Sequence, residues 1–429
     1  MRGTTRQKYL HLLVLAVMWL ALTNLAPSAA LAQLSYVARF ELEKPQYMAG
    51  EPIFCKFVLR NTGNRVLAFR YRSPSRVLIH DAEQEPDFRV TDARGQRLPD
   101  PAPQPCGGTQ GTVVYGFVAL PPGQTQSERW LLNQWARFHG PGSFRVRAER
   151  RLALFETDPK TGKFAERPAA FASALDELDF KLEASTPARL RAAFAPYLAQ
   201  IQDAKERDPA EAVMVVTTLP QPFLLAPLVA MTKPAKPQRW DRREALTGMA
   251  RLGTPPAWQE IVKVARGAAP ESGSANSRDD SLRSYAVLLL AEKADPAFLP
   301  VLLGMLDRST EPVRGDVLHA LGFFSGTGAS QALFDHLHSP QVADRMNSIL
   351  GLRNLGTRET VPALLAMLRD AEPQVRGVAN FALESVTGHK EGSATSPEEA
   401  SRLADRWHDW WREHGGNFSP ARPTACHDW

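Results

Sequence analysis

The sequence predicts a multidomain chain, an all-β sandwich followed by an all-α superhelical solenoid. Three observations carry this. Arg283, Arg314, Arg345 and Arg376 stand 31 residues apart, and Leu290, Leu321, Leu352 and Leu383 follow each by seven residues. A fixed period in this range marks stacked copies of one supersecondary unit. Upstream, residues 34–185 alternate apolar and polar with period two between turn sequences, the pattern of half-buried strands. The first 32 residues resemble neither part. The boundaries read as 1–32 signal segment, 33–185 β-sandwich, 186–390 solenoid and 391–429 terminal helix and tail.

The opening segment has a basic start (Arg2, Arg6, Lys8), an apolar run from Leu12 to about Leu22, and the small-residue stretch Ala30-Leu31-Ala32. This is the layout of a secretory signal with its cleavage site, and it predicts export to a periplasmic or extracellular space. The run is short for a membrane span and is broken by Thr23 and Asn24. No integral span is expected after cleavage. Of the formal net charge of +5, the three cations of this segment account for three, leaving +2, so nothing invokes nucleic acid. Export permits a disulfide. A Cys55–Cys106 bridge would contribute roughly 4 kcal/mol on the chain-entropy account; the alternative is that Cys55 is simply a buried apolar residue, since it continues an inward stripe.

Strand candidates are 36–43, 53–59, 66–71, 88–91, 113–120, 127–132, 144–148 and 180–183, with 156–175 as a long excursion before the last. Turn sequences such as Asn61-Thr62-Gly63-Asn64, Pro121-Pro122-Gly123 and Gly140-Pro141-Gly142 separate them. Short strands in this order suggest a sandwich. The stretches Glu51-Pro52-Ile53 to Arg60-Asn61-Thr62-Gly63, Leu120-Pro121-Pro122-Gly123 and Pro141-Gly142-Ser143-Phe144-Arg145-Val146 resemble the immunoglobulin-like domains at the front of exported bacterial proteins.

After Thr186 the period turns helical. Six helix pairs are expected: 187–218, 221–252, 256–292, 296–324, 328–355 and 359–386. The third carries the insertion Gly267–Arg278. Asp208-Pro209-Ala210-Glu211 and Ser396-Pro397-Glu398-Glu399 read as capping boxes. In the last helix Ala400, Leu403, Ala404, Trp407 and Trp411 fall on one stripe. It reads as the cap that a solenoid needs over its open end, with an aromatic docking surface at Trp410 and Trp411 as the rival reading.

The repeat resembles HEAT repeats of the PBS-lyase-like kind. The match is Leu302-Leu303 to Leu306-Asp307 with Val313-Arg314 to Leu321, recurring as Leu364-Leu365 to Leu368-Arg369-Asp370 with Val375-Arg376 to Leu383. The middle copy departs, with Val342-Ala343-Asp344-Arg345. The resemblance implies that the arginines pair with acids between repeats, here Asp307 and Asp370. Some relatives act on bilin pigments and others hold a di-iron site through His-Glu pairs; no His-Glu dipeptide occurs here.

No catalytic or nucleotide-binding motif is present, and no catalytic residue, metal ligand or cofactor is expected. His319 shares its register with Leu288, Leu350 and Phe381 and reads as occupying a core slot. In HEAT-like solenoids the second helix of each pair lines the concave side. Residues that vary there are the expected partner-binding set: Tyr285, Asp316 and Asn347 in one register, Phe323 and Asn354 in a second, Arg353 and Glu384 in a third. The function expected is an exported, non-catalytic scaffold that binds another protein of the envelope or extracellular space. Alternatives are cell-wall or carbohydrate binding through the sandwich, by Trp130, Trp135 or Tyr115, or a pigment-lyase-like or other enzyme activity on the solenoid.

Overall fold

The computed structural model describes residues 35–420, apart from 72–84, 102–115, 158–162, 166, 204, 207, 235–238 and 268–276. The signal segment, Cys106, Tyr115, Cys426 and most of the insertion Gly267–Arg278 therefore lie outside the described residues. Among the described residues no helix is long and apolar enough to cross a membrane.

The N-terminal part holds β1 (Tyr36–Leu42), β2 (Gln46–Met48), β3 (Phe54–Asn61), β4 (Leu67–Tyr71), β5 (Asp87–Asp92), β6 (Gly116–Leu120), β7 (Thr125–Leu131), β8 (Gly142–Glu156) and β9 (Ala170–Glu183). They form a three-stranded sheet, β1-β3-β7, and a six-stranded sheet, β2-β9-β8-β4-β6 with β5 also on β8. Alternation along β3 and β8 sends Cys55, Phe57 and Leu59 from one sheet and Val146, Ala148 and Leu152 from the other into one core. Two inward slots carry charge. Arg150 of β8 and Glu128 of β7 pair at 2.7 Å, each almost wholly buried, with Arg150 also 4.6 Å from the Phe57 ring. This ion pair ties the two sheets together across the core. Cys55 is fully buried and has no disulfide partner among the described residues, and burial pushes its thiol pKa up to about 12. Its expected bridge partner is outside the described residues.

Two features differ from expectation. The excursion 156–175 shrinks to 157–169, because β8 and β9 pair from Gly142↔Leu182 through to Leu154↔Ala170. The inward residues of early β9 are Ala172 and Ala174, too small to show a strand period in sequence. The short β2, paired in parallel with β9, was not anticipated at all.

Six helix pairs follow: α1 (Pro187–Gln202) with α2 (Ala210–Thr218), α3 (Leu225–Met231) with α4 (Arg242–Leu252), α5 (Pro255–Arg266) with α6 (Ser277–Lys293), α7 (Leu299–Leu303) with α8 (Glu311–Leu321), α9 (Thr327–His336) with α10 (Val342–Leu355), and α11 (Thr360–Met367) with α12 (Pro373–Thr387). Thr186 caps α1 by accepting the Arg189 amide at 3.3 Å. Left-handed Gly356 and Gly388 end α10 and α12. Second helices pack side by side, α4 on α6, α6 on α8, α8 on α10 and α10 on α12. First helices meet across pairs only sparingly, which places the second helices on the concave side. A Cβ on Gly322 would fall 2.3 Å from the Gly351 carbonyl oxygen, so the α8–α10 approach depends on glycine.

The arginine column joins neighbouring pairs, although not wholly to the acids expected. Arg345 holds Asp370 through two bonds of 2.8 and 2.9 Å. Arg314 holds Asp344 at 3.0 Å, so Asp344, the residue that made the middle copy look irregular, takes the place foreseen for Asp307. Arg242 holds Asp279, while Arg376 donates to the carbonyls of Asp370 and Ala371. Each cation thereby also satisfies loop carbonyls that a helix end leaves free.

Both ends of the helical stack are covered. At the far end α13 (Pro397–His414) buries Leu403, Ala404 and Trp407, and the Trp407 indole donates to Asn380 at 2.7 Å. Its capping box forms, with Ser396 accepting the Glu399 amide and Glu399 reaching back to the Thr395 amide. At the near end the outward residues Phe54 and Leu131 of the three-stranded sheet belong to the solenoid's own core. Arg129 lies 4.0 Å from the Phe54 ring and pairs with Glu43 and Glu211. Glu211 is therefore occupied in the junction, and the capping box expected at 208–211 reduces to Asp208 accepting the Ala210 amide at 3.2 Å.

Candidate protein-binding face

The second helices expose a column that sequence periodicity had assigned to the core. Leu288 of α6 is 42% exposed and Phe381 of α12 is 52% exposed; His319 of α8 and Leu350 of α10 between them are half-buried. Helical geometry explains the correction. Leu288 and Leu290 are two residues apart, hence about 200° around the helix. Leu290, Leu321, Leu352 and Leu383 are all fully buried, so the register two residues earlier must point away from them. The angle between the two registers, rather than their shared apolar character, was the signal available.

Around this column lies a pocket of about 370 Å³ whose lining includes Arg243, Ser284, Tyr285, Leu288, Asp316, His319 and Phe323. Three residues of the expected set, Tyr285, Asp316 and Phe323, thus come together here. The Tyr285 hydroxyl lies 2.9 Å from that of Thr247, linking α6 to α4. Phe323 is 39% exposed and its ring centre lies 5.9 Å from that of His319. Burial holds the His319 pKa below the ordinary imidazole value, the Arg353 charge adds to this, and Asp316 opposes it.

The remaining four do not line the pocket. Asn347 donates to the Ala343 carbonyl at 2.9 Å and closes the space over Gly315. Arg353 donates to the Asn354 side-chain oxygen at 3.0 and 3.3 Å and lies 5.2 Å from the Phe381 ring centre. Among the described residues the Asn354 side-chain nitrogen is buried without a hydrogen-bond partner. Glu384 accepts from Asn380, which is tied to Trp407, so it belongs to the terminal cap.

Other candidate surfaces fare less well. Trp130 is buried between the sheets and Trp135 packs edge-on against Phe88, so Trp130 has no free face for a sugar ring. A cleft of about 760 Å³ lies by Thr91, Phe144 and Phe180, where the charges of Arg145 and Asp179 on its wall are spent on each other at 2.7 and 3.0 Å. Trp410, stacked on His389 and His414, and Trp411 both pack against Phe418.

The family model for HEAT repeats matches residues 272–350. No curated protein matches the chain. Among solved structures, the complex of CpcE and CpcF of phycocyanin lyase from Nostoc sp. PCC7120 is similar at 20% identity over 38% of this chain and 99% of that one, with a TM-score of 0.29. Computationally designed armadillo repeat proteins for modular peptide recognition share 17% identity over 47% of this chain and 94% of theirs, with a TM-score of 0.26. A designed armadillo repeat protein in complex with the peptide (KR)4 shares 15% identity over 45% and 98%, with a TM-score of 0.29. The helical part of the chain is a solenoid of stacked helix pairs, and residues 272–350 of it match HEAT repeats.

Proposed function

We propose that the protein is an exported, non-catalytic scaffold that binds another protein along the concave face of its solenoid, with an immunoglobulin-like domain as its N-terminal cap. The observation that carries this is the apolar column at Leu288, Leu350 and Phe381, exposed at its two ends and half-buried at Leu350, with exposed Phe323 beside it. Contiguous exposed apolar groups rimmed by polar ones mark interaction surfaces. The basic, apolar and small-residue order of the first 32 residues supports export.

The test is an affinity capture from envelope extract with mild crosslinking, using the full chain and its Phe323→Ala variant. A protein held by the full chain and weakened by the substitution supports the reading. Equal capture by both removes the concave face from it.

A further inference from the structure

We propose that the partner presents an acidic segment to this face, with a carboxylate bound by Arg353 and Asn354 and a neighbouring apolar side chain inserted in the pocket at Leu288, His319 and Phe323. The inference rests on the concave face being the binding surface and adds the chemistry of what it takes.

The argument begins with how the arginines of the second helices are used. Arg242, Arg314 and Arg345 each hold an aspartate. Arg353 holds none. Among the described residues its donors reach only the Asn354 side-chain oxygen. A guanidinium carries five N–H donors in a planar fork, so most of its capacity is open. It is half-buried on the Phe381 ring, and burial, opposed by no nearby carboxylate, lowers its pKa.

The same spot holds a second unmet donor. The Asn354 side-chain nitrogen is buried with no hydrogen-bond partner among the described residues, while its oxygen is taken by Arg353. Two adjacent groups with donors to give call for a group that only accepts. An ionised carboxylate is that group, and the Arg fork matches it in two-pronged geometry. The acids of the face do not fill the role: Asp316 influences His319 rather than Arg353, and Glu384 is engaged by Asn380. Asn354 packs against Gly322, the residue before Phe323 of the pocket lining, so the carboxylate position and the pocket adjoin. The occupant therefore combines an acid with an aliphatic or aromatic side chain a short distance along its backbone.

The test is fluorescence anisotropy of the full chain with three labelled pools of random peptides about ten residues long, enough to span some 30 Å when extended. The pools share their apolar residues and differ in carrying Asp and Glu, Lys and Arg, or Ser and Gln. The acidic pool should bind in preference, and Arg353→Gln should weaken it about tenfold or more, the scale for losing a close charge partner. Arg353→Glu should transfer the preference to the basic pool, a gain that a misfolded variant cannot show. Preference of the unaltered chain for the basic or neutral pool overturns the inference while leaving the binding reading in place, as does indifference to both substitutions. Binding of no pool overturns both.

Discussion

Two columns run along the same second helices with the same 31-residue spacing, and they meet opposite fates. The arginines at 283, 314, 345 and 376 are bonded into the framework, to aspartates or loop carbonyls. Of the residues five places later, Leu288 and Phe381 are exposed and His319 and Leu350 are half-buried, with no element covering them among the described residues. Periodicity is therefore a statement about register and says nothing of burial. Identity helps more. The arginine column never changes residue, because each member must reach the same kind of oxygen. The exposed column drifts from Leu to His to Phe, as a surface can when no fixed cavity must be filled.

The sharpest way to break the comparison is to remove an acid from the ladder. Asp344→Ala strands the Arg314 guanidinium and also removes the acceptor of Ser339. Breaking a largely buried pair from one side costs about 3 kcal/mol or more, so thermal unfolding followed by circular dichroism should move down by several degrees. An unchanged midpoint would reduce the column to decoration.

Next in size is Gly322→Ala. The added methyl would meet the Gly351 carbonyl and the Asn354 Cβ at 2.3 and 2.8 Å, forcing α8 from α10. Overpacking of this kind costs about 2 kcal/mol, read in the same unfolding measurement. Binding should weaken too, since Asn354 is displaced with it.

A smaller effect comes from acid. Burial alone would raise the Asp370 pKa, but bonds from Arg345 and the Glu372 amide outweigh it and hold the carboxyl below its usual range. A folded-state pKa depressed below the unfolded value near 3.9 gives stability that is complete above about pH 4. That stability is lost as pH falls through the folded value. Asp370→Asn should thus lie below the unaltered protein in melting temperature at neutral pH, and the gap should close as pH falls below about 4. A gap that persists in acid would assign the loss to packing instead of charge.

How much of this was open to a reader of the sequence depends on the kind of feature. The solenoid was legible because its pattern repeats, and all six helix pairs fall where periodicity put them. The terminal cap was legible because Ser396, Glu399 and the Trp407 stripe are local signals. The docking of the first domain was hidden in a single residue. Ile53 to Leu59 was read as alternating, yet Phe54 is a large apolar residue on the outward face of β3, the mark of a strand covered on both sides. Nothing in the sequence says that helices supply the cover. Arg353 was named for its variability, while the absence of an acid around it is a property of three dimensions.

The finest distinction concerns the exposed column itself. If Leu288 and Phe381 form a surface, then Leu288→Ser and Phe381→Ser should each change stability by no more than about 0.5 kcal/mol, as substitutions away from the core do. Capture of a partner should nevertheless fall, because the apolar contact is gone. Measured beside Asp344→Ala, this gives a double dissociation: one column alters unfolding, the other alters binding with the fold intact. A loss of stability at Leu288→Ser matching that of the ladder variant would return the column to the core. The apolar face on which the proposed function stands would then be an interior one, and the sandwich rather than the solenoid would become the place to look for a partner.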